Sequence, residues 1–591
     1  MFKAALAFLV IPAIGYFSAS HVIDILESGS DYSLAQICSM STGELSRIFN
    51  DANAIKSGCR DLIQPVLLLY KASIISMIVS VIILLVFKIL TIYCGTDRDK
   101  NAFIFPKLVP VTVLVIASQV LVQGIILAYL SYIIPAEILD SGIYFPVVTF
   151  FIAGGAAVGF FQVASSLLSL FKKAEHIERA ILVSREGYPK LWNHVDGIAE
   201  KIEAKKPDNI VIGLQPTFYA TTANVKLIGD EGILNGETLY LSLPLMKLFT
   251  REELDAVVGH ELGHFKAKDT NYSTKFAPVY MNLGNSLSNL ANTSGGASAL
   301  AKLPAIFVLS AMYEAFETNI AAISRDREFE ADKVGCEASS KEGLVYSLAK
   351  VVTYSSLWNQ TILDNVKRLN RGKITTNLSE VFRESSTYNI GTKDIDDIVA
   401  EVLPSIIQHP TDSHPPLADR YASIDFNVEN ITRDKIIHQG NAVENLIDNA
   451  QTLEEDLTMA EHNFEVAMGW AIVPEEEKVS NMANIVYSMA AAMIGADGKL
   501  ENDEIRVAEE LGAQILEDFD RIDFRNFIDN LDKIPDFNSV AKICAEFDDD
   551  ARAIIYNYLE AIAHADDELA DDEKVLLDGL KEMWSLEAQT D

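Results

Sequence analysis

Three residues in one short stretch have the side chains and spacing to hold a metal ion and activate water. His260 and His264 are four residues apart, and Glu261 follows the first of them. On a helix, residues four apart project from the same face. Two imidazoles at that spacing can bind one Zn²⁺ and leave positions open for water and substrate. Glu261 is then placed to take a proton from the attacking water, so the pattern predicts a metal-dependent hydrolytic site.

The residues before this motif predict the helix that it needs. Thr250 and Glu253 have the spacing of a capping box, and Phe249 with Leu254 fits a hydrophobic staple. A helix is therefore expected to begin near Thr250. The alternative is a surface helix that carries two histidines by accident, and it is disfavoured because the chain has only 10 histidines.

A catalytic zinc commonly has a third protein ligand, and a charged run further along the chain offers one. Glu328 is the best candidate, and Asp332 lies four residues later on the same helical face. Glu328 would bind the metal while Asp332 orients a ligand histidine through its other ring nitrogen. Considered alone, the run is an ordinary charged helix, and Glu330 or Asp326 could take the same role.

The motifs His260-Glu-Leu-Gly-His264 and Glu328-Phe-Glu-Ala-Asp332 together resemble the HtpX and CAAX-prenyl-protease family of membrane gluzincins. The resemblance covers roughly residues 175 to 425. It implies one Zn²⁺ per chain, with His260, His264 and Glu328 as ligands and Glu261 as the general base.

A third stretch, Ser413-His-Pro-Pro-Leu-Ala-Asp-Arg420, also matches the family. The resemblance nominates His414 to stabilise the oxyanion and Arg420 to pair with a carboxylate such as Asp332. It also implies that Thr238 to Leu243 is an edge strand that binds substrate by strand addition. Without the resemblance, the His-Pro-Pro turn would be taken as a loop.

One departure from the family concerns the segment between the two metal motifs. Family members usually carry apolar helices there, and the nearest equivalent here, Leu303 to Met312, has about ten residues. We expect this run to be too short to cross a bilayer. This departure from the family leaves open whether the active site faces the bilayer or the cytoplasm.

The first 173 residues are expected to be a membrane domain. Four apolar runs predict transmembrane helices at 4–20, 66–93, 108–134 and 143–171. The first run also fits a cleaved signal peptide. The C-terminal ends of the second and fourth helices are predicted to face the cytoplasm, because basic residues follow them. These residues are Arg98, Lys100, Lys107, Lys172 and Lys173.

This topology makes 21–65 an external loop and places everything after Lys173 in the cytoplasm. The predicted location of the chain is the inner, or plasma, membrane. The loop contains Cys38 and Cys59, two of the five cysteines. In an oxidising space they could form a disulfide. The alternative is two unpaired thiols.

The C-terminal part is strongly acidic. Residues 479–591 carry about 28 acidic against about 9 basic side chains, over half of the net charge of −35. Apolar residues nevertheless recur at helical spacing, which predicts a folded all-α domain. No basic stripe occurs in the chain, and this argues against nucleic acid as a partner.

An internal repeat marks this domain, since Ala496 to Glu504 matches Ala565 to Glu573. The repeat resembles the TerB-like domain of tellurite-resistance and stress proteins, and it suggests sensing or docking of a protein partner. The oxygen-bearing side chains could bind a second, hard cation; they are Asp497, Glu504, Asp566 and Glu573. Acidic capping of helix starts is the simpler interpretation.

The predicted fold is mainly α with a small β-sheet. A membrane domain (1–173) precedes an α+β zinc metallopeptidase domain (174–440), a helical connector (441–478) and the TerB-like domain (479–591). The predicted function is a membrane-anchored metalloendopeptidase acting on proteins in quality control or stress. Two alternatives remain, a vestigial stress-sensing scaffold and a narrow maturation protease for one membrane or lipidated substrate.

Overall fold

The chain folds as two compact units, Met1–Glu175 with Ala267–Asp326 and His176–Lys266 with Arg327–Asp591. The computed structural model describes residues 2–28, 32–48, 51–59, 63–133, 145–170, 175–229, 232–266, 275–292, 296–391, 395–406, 414–438, 440–474, 481–516, 519–530, 536–565 and 569–585. The predicted loop between the third and fourth membrane helices lies outside these residues, as do Asp566 and Ser413.

Long apolar helices form most of the first unit. In chain order its helices before the sheet are α1 (Phe2–Glu27), α2 (Leu34–Ser39), α3 (Thr42–Ile48), α4 (Ala52–Gly58), α5 (Gln64–Cys94), α6 (Arg98–Ile133) and α7 (Pro146–Leu170). Large apolar side chains stand on their outer faces, with Ile92 72% and Phe150 75% exposed. Such faces are stable when lipid covers them, and α1, α5, α6 and α7 contain four of the predicted spans.

Polar side chains link these helices on their buried sides. Ser76 Oγ on α5 donates to Gln119 Oε1 on α6 at 2.6 Å, and Gln123 Nε2 donates to the carbonyl of Phe8 at 3.0 Å. Hydrogen bonds of this kind hold helices together where water is excluded.

The short helices α2 to α4 surround a disulfide. Cys38 and Cys59 are bonded, with their Cα atoms 5.4 Å apart. Leu34, Ile37 and Leu45 pack beside them in a small core. The structure thus joins the two cysteines that the sequence placed in an external loop.

A small mixed sheet begins the second unit. The strands are β1 (Glu175–Glu178), β2 (Ala180–Leu182), β3 (Asn209–Gly213), β4 (Tyr219–Thr221), β5 (Asn224–Leu227), β6 (Ile233–Leu234) and β7 (Thr238–Ser242). One sheet has the order β2-β3-β7-β4, in which only β3 and β7 are parallel, and β1, β5 and β6 form another.

The prediction that Thr238 to Leu243 is an edge strand is wrong. β7 pairs with β3 on one side and with β4 on the other, so it is an inner strand. Its side chains are all buried, as expected for a strand between two neighbours. The edge on this side of the sheet is β4.

Helices of both units follow in chain order. They are α8 (Pro189–Lys201), α9 (Leu243–Leu248), α10 (Arg251–Gly263), α11 (Ala277–Asn292) and α12 (Gly296–Ala338). Residues of α12 up to Asp326 belong to the first unit, and those from Arg327 belong to the second.

The expectation for Leu303 to Met312 is also wrong. These residues lie inside α12, and its part Lys302–Ala338 is a helix long enough, and apolar enough over one window, to cross a membrane. The described residues therefore contain five such helices, one more than predicted. The helix continues through Glu314 and Glu317, which end the apolar run in the sequence but do not end a helix.

The second unit continues with further helices, the first of which packs on α10. They are α13 (Lys341–Leu369), α14 (Leu378–Gly391), α15 (Ile395–Val402), α16 (Leu417–Ser423), α17 (Arg433–Ile437) and α18 (Ala450–Ala467). Residues of these helices share one apolar core with α8, α9 and the sheet.

Buried acidic residues distinguish α18. The Glu465 side chain is fully buried; its Oε2 accepts a hydrogen bond from Asn365 Nδ2 at 2.8 Å, while no described residue hydrogen-bonds its Oε1. Burial, with Glu461 nearby, raises the pKa of Glu465 to about 7. A carboxyl group with a raised pKa favours the folded state when it is protonated, and that contribution is lost as the pH rises through about 7.

We expect Glu465→Gln to raise the apparent melting temperature of the detergent-purified chain at pH 8 and to leave it nearly unchanged at pH 5. The free energy of unfolding at pH 8 should rise by at most about 3 kcal/mol, because each pKa unit is worth about 1.4 kcal/mol. Glu455→Gln, an exposed position on the same helix, is the control and should shift neither value. An equal effect of Glu465→Gln at both pH values would contradict the assignment.

The acidic C-terminal residues fold as a helical domain, as predicted. Its helices are α19 (Asn481–Ile494), α20 (Asn502–Ile515), α21 (Arg521–Ile528), α22 (Phe537–Cys544), α23 (Asp549–Ala563) and α24 (Asp571–Trp584), around a core of their own. Salt bridges join it to α13, where Arg368 contacts Asp520 at 2.7 Å and Asp364 contacts Arg521 at 2.7 Å.

Candidate metal centre

The helix that carries the two histidines begins as its sequence predicts. Thr250 Oγ1 accepts a hydrogen bond from the Glu253 N–H, and Glu253 Oε2 accepts one from the Thr250 N–H at 2.7 Å. The buried Lys350 on α13 donates to the same Glu253 oxygen at 2.8 Å. These bonds satisfy the first N–H groups of α10 and fix where the helix starts.

His260 and His264 lie one turn apart near the end of α10. Their ring centroids are 5.1 Å apart, and His260 is 1% exposed. The two rings are adjacent, as the four-residue spacing requires. Both imidazoles approach the carboxylate of Glu328, which α12 provides.

Three glycines allow α10 and the end of α12 to approach closely. A Cβ on Gly259 would lie 2.2 Å from the Cβ of Ala338, and a Cβ on Gly335 would lie 2.8 Å from the carbonyl oxygen of Ala256. A Cβ on Gly263 would make looser contacts, the nearest at 3.2 Å from Val334. The close approach brings His260 to the carboxylates of α12.

Gly335→Ala is therefore expected to lower zinc occupancy and to destabilise the fold by about 1 to 3 kcal/mol, the usual cost of overpacking. Zinc content and the apparent melting temperature of the purified chain measure both effects. Gly197→Ala is the matched control, because α8 has open space around that position. It should stabilise slightly, by about 0.5 to 1 kcal/mol; a Gly335→Ala chain with normal zinc content would contradict the packing argument.

Glu328 is at the centre of the cluster. Its Oε2 is 3.4 Å from His260 Nε2, and its Oε1 is 3.5 Å from His264 Nε2. The side chain is fully buried, and Oε1 has no hydrogen-bond partner among the described residues. A buried carboxylate oxygen without a donor is costly. Two imidazole nitrogens and one carboxylate match the donor set of catalytic zinc sites, so the residues fit a zinc ion.

Asp332 and Arg420 support the first histidine. Asp332 Oδ1 is 3.0 Å from His260 Nδ1, which directs His260 Nε2 toward Glu328. The Arg420 guanidinium contacts both Asp332 oxygens, with Nε at 3.0 Å and Nη2 at 2.5 Å. Both side chains are buried. The structure thus pairs the carboxylate and arginine that the sequence nominated.

His414 completes a buried group of potential ligands. Its Nδ1 contacts Glu328 Oε2, and one ligand atom each from His260, Glu328 and His414 lie within 4.8 Å of one another. His414 is therefore close enough to act on a substrate bound at this point or to bind a metal itself.

Glu261 lies between the histidines and the sheet, with its Oε1 4.0 Å from His260 Nε2. Its Oε2 accepts a hydrogen bond from the backbone N–H of Ala220, on the edge strand β4, at 3.0 Å. Burial raises the pKa of the Glu261 carboxyl, and the neighbouring histidines oppose that rise. The carboxylate therefore lies between the candidate metal ligands and a strand edge on which a peptide could pair.

The acidic repeat does not form a comparable group. Glu573 Oε2 accepts a hydrogen bond from the Ala570 N–H at the start of α24, as the capping interpretation expects. Asp566 lies outside the described residues. In the part of the chain that the structure describes, the only group of three potential ligands is the one around Glu328.

Sequence reasoning missed several residues that build the site. The contact between Ala220 and Glu261 joins residues 41 positions apart, and Lys350 is 97 positions from Glu253. Gly335 has no signal beyond being a glycine. A strand so short as β4 also has too few residues to show an alternating pattern.

Residues 228–427 match the model of peptidase family M48. The chain is similar to a "Protease HtpX homolog" of Archaeoglobus fulgidus, 26% identical over 316 residues that cover 52% of this chain and 85% of that relative. A homolog of the same name from Pyrobaculum calidifontis is 28% identical over 28% of this chain and 46% of its own. Another, from Thermodesulfovibrio yellowstonii, is 35% identical over 16% of this chain and 32% of its own. No solved structure matches the chain.

Proposed function

We propose, from the premise that this chain is a multi-pass membrane zinc metallopeptidase of the HtpX type, that it hydrolyses internal peptide bonds of unfolded or damaged proteins. The observation that supports this most is the cluster in which His260, His264 and Glu328 converge beside Glu261, with His260, Glu261 and Glu328 buried.

His260, His264 and Glu328 would hold the zinc. When bound, zinc polarises the scissile carbonyl and lowers the pKa of water. Glu261 would accept the proton of the attacking water and deliver it to the nitrogen of the leaving amine. The Ala220 N–H orients the Glu261 carboxylate, and Asp332 orients His260.

Substrate would bind as an added strand along β4. This strand is at the edge of its sheet, and its middle residue contacts Glu261. A peptide that pairs with β4 would therefore bring a backbone carbonyl to the catalytic carboxylate.

His414 is proposed to donate to the developing oxyanion. We expect His414→Ala to keep its zinc and to lower kcat about a hundredfold with little change in KM, as for other oxyanion donors. His438→Ala, at an exposed histidine, is the control. Loss of zinc together with activity would instead make His414 a metal ligand.

Casein cleavage tests the activity itself. Detergent-purified chain should cut casein, stop when a chelator removes zinc, and recover when zinc is restored. A panel of unrelated unfolded and membrane proteins then separates the two enzymatic roles, because a narrow maturation protease would ignore most of the panel. Zinc-loaded chain that cuts nothing in either assay would favour the scaffold.

The peptidase and C-terminal parts are proposed to face the cytoplasm across the inner, or plasma, membrane. Basic residues Arg98, Lys100 and Lys107 flank the loop between α5 and α6, which supports an inward location of that loop. The disulfide between Cys38 and Cys59 fits an oxidising space on the other side.

The domain at 479–591 is proposed to be TerB-like and to contact a protein partner through its acidic surface. Its folded helical core and its net negative charge support this proposal. We expect a protein partner of this domain to bind the whole chain at low salt. It should be released at high salt, because salt screens the attraction to the acidic surface.

A further inference from the structure

A cleft of about 840 Å³ opens in the second unit beside β4. Its volume is in the range of sites that bind small molecules or peptide side chains. The apolar residues of its lining include Leu214, Pro216, Val351, Trp358, Ile406 and Trp470.

One wall of the cleft is continuous with the edge strand. Pro216 and Thr217 line it, and Phe218 connects them to β4. At about 3.3 Å per residue, Thr217 is at most about 10 Å from Ala220, whose N–H contacts Glu261. The Ser355 hydroxyl of α13 donates to the carbonyl of Pro216 at 3.0 Å and fixes this wall.

A second wall is hydrogen-bonded to the segment that contains His414 and α16. Ser405 and Ile406 line the cleft there. The Leu417 N–H donates to the Ser405 carbonyl at 3.1 Å, and the Ala418 N–H donates to the Leu403 carbonyl at 3.0 Å. Both walls of the cleft are therefore held by the segments that position Glu261 and His414.

The charged residues that line the cleft are Arg179, Glu401 and Glu461, and two of them form an ion pair. Arg179 pairs with Glu461 at 2.7 Å, and its guanidinium lies over the ring of Phe464 at 4.2 Å. The arginine charge is thus compensated. Trp470 is 51% exposed and Ile406 56% exposed at the cleft, so these two residues can cover an apolar side chain.

We propose that this cleft binds a large apolar or aromatic side chain of the substrate, three or four residues beyond the scissile bond on its C-terminal side. The inference rests on the proposed peptidase function. A substrate that pairs antiparallel to β4 runs from Ala220 toward Thr217 as its own chain proceeds to the C-terminus. Antiparallel pairing is the commoner arrangement, and it leads the residues after the cleaved bond into the cleft.

Part of the cleft is built from segments outside the matched residues 228–427. Arg179, Pro216, Glu461 and Trp470 all lie beyond that stretch. The helix α18 and the residues that follow it, predicted to be a connector, thereby contribute to substrate selection.

The test begins by mapping a cleavage site in casein by mass spectrometry. Two peptides that contain this site are then compared. One peptide ends two residues after the cleaved bond, and the other continues for five residues with Phe at the third and fourth. For the wild-type chain we expect kcat/KM to be about tenfold higher for the long peptide, from burial of one large side chain. Trp470→Ala removes one apolar residue of the lining, and Asn359→Trp fills the cleft. Each variant should bring the ratio of kcat/KM between the long and the short peptide close to one.

Two matched variants and one further peptide complete the test. Ile472→Ala and Leu363→Trp alter exposed apolar residues outside the lining and should keep the wild-type ratio. Unchanged ratios in both Trp470→Ala and Asn359→Trp would overturn the proposal. The proposal would also be overturned if the two variants changed kcat/KM only for a peptide that is extended on the N-terminal side of the cleaved bond. Failure of the peptidase function looks different, because the wild type would then cut neither peptide or would cut no faster than Glu261→Gln.

Discussion

Glu261→Gln is expected to bind zinc at the wild-type level and to cleave casein at least about a hundredfold more slowly, the usual loss for a missing general base. Glutamine has nearly the same shape as glutamate, and its side-chain oxygen can still accept the hydrogen bond from the Ala220 N–H. It has no carboxylate, so it cannot take a proton from water. Zinc content and casein cleavage, measured on the same preparations, separate the two effects.

Glu252→Gln is the matched control for this variant. Glu252 is an exposed residue on the same helix, and the exchange should leave both zinc content and cleavage unchanged. Equal cleavage by Glu261→Gln and wild type would remove Glu261 from the mechanism. Normal cellular function of a Glu261→Gln chain that no longer cleaves would favour the scaffold instead.

Arg420→Met is expected to destabilise the second unit by about 3 to 5 kcal/mol and to lower zinc occupancy. Arg420 and Asp332 are both buried and make two direct contacts. Methionine would leave Asp332 as a buried carboxylate without its arginine, and that is the costly way to break a buried ion pair. Asp332 also contacts His260 Nδ1, so its displacement would disturb a proposed ligand.

Arg185→Met provides the comparison. Arg185 pairs with Asp196 at 2.8 Å, but the arginine side chain is 49% exposed. Exposed pairs contribute about 0 to 1 kcal/mol, so this variant should melt within a few degrees of wild type and keep its zinc. Similar melting temperatures for both arginine variants would mean that the Arg420 pair adds little to stability.

The parts of the site that depend on neighbouring residues were predictable from the sequence. A capping box needs two residues three apart, and the His260–His264 pair needs residues four apart on a helix, so both follow from local geometry. The pairing of Asp332 with Arg420 is not local, and it came from the family resemblance. Long uniform apolarity likewise predicted α5, α6 and α7.

Features set by distant contacts were not predictable. Nothing in Thr238 to Ser242 shows whether one or two strands pair with it, because burial on both faces also occurs in edge strands that are covered. The length of α12 was underestimated, since apolarity ends near Met312 while helix-forming residues continue to Ala338. The close contact at Gly335 depends on a backbone oxygen 79 residues away, at Ala256.

The donor set around Glu328 has a consequence for which metal the chain acquires. Imidazole nitrogen and carboxylate oxygen are ligands of intermediate softness, and they disfavour Mg²⁺ and Ca²⁺, which prefer all-oxygen shells. The same donors do not discriminate against copper, cobalt or nickel by affinity, because Cu²⁺ binds such sites more tightly than Zn²⁺. We therefore expect the supply of metal where the second unit folds to contribute to the choice of ion, and chain produced in medium enriched in cobalt should contain cobalt at this centre.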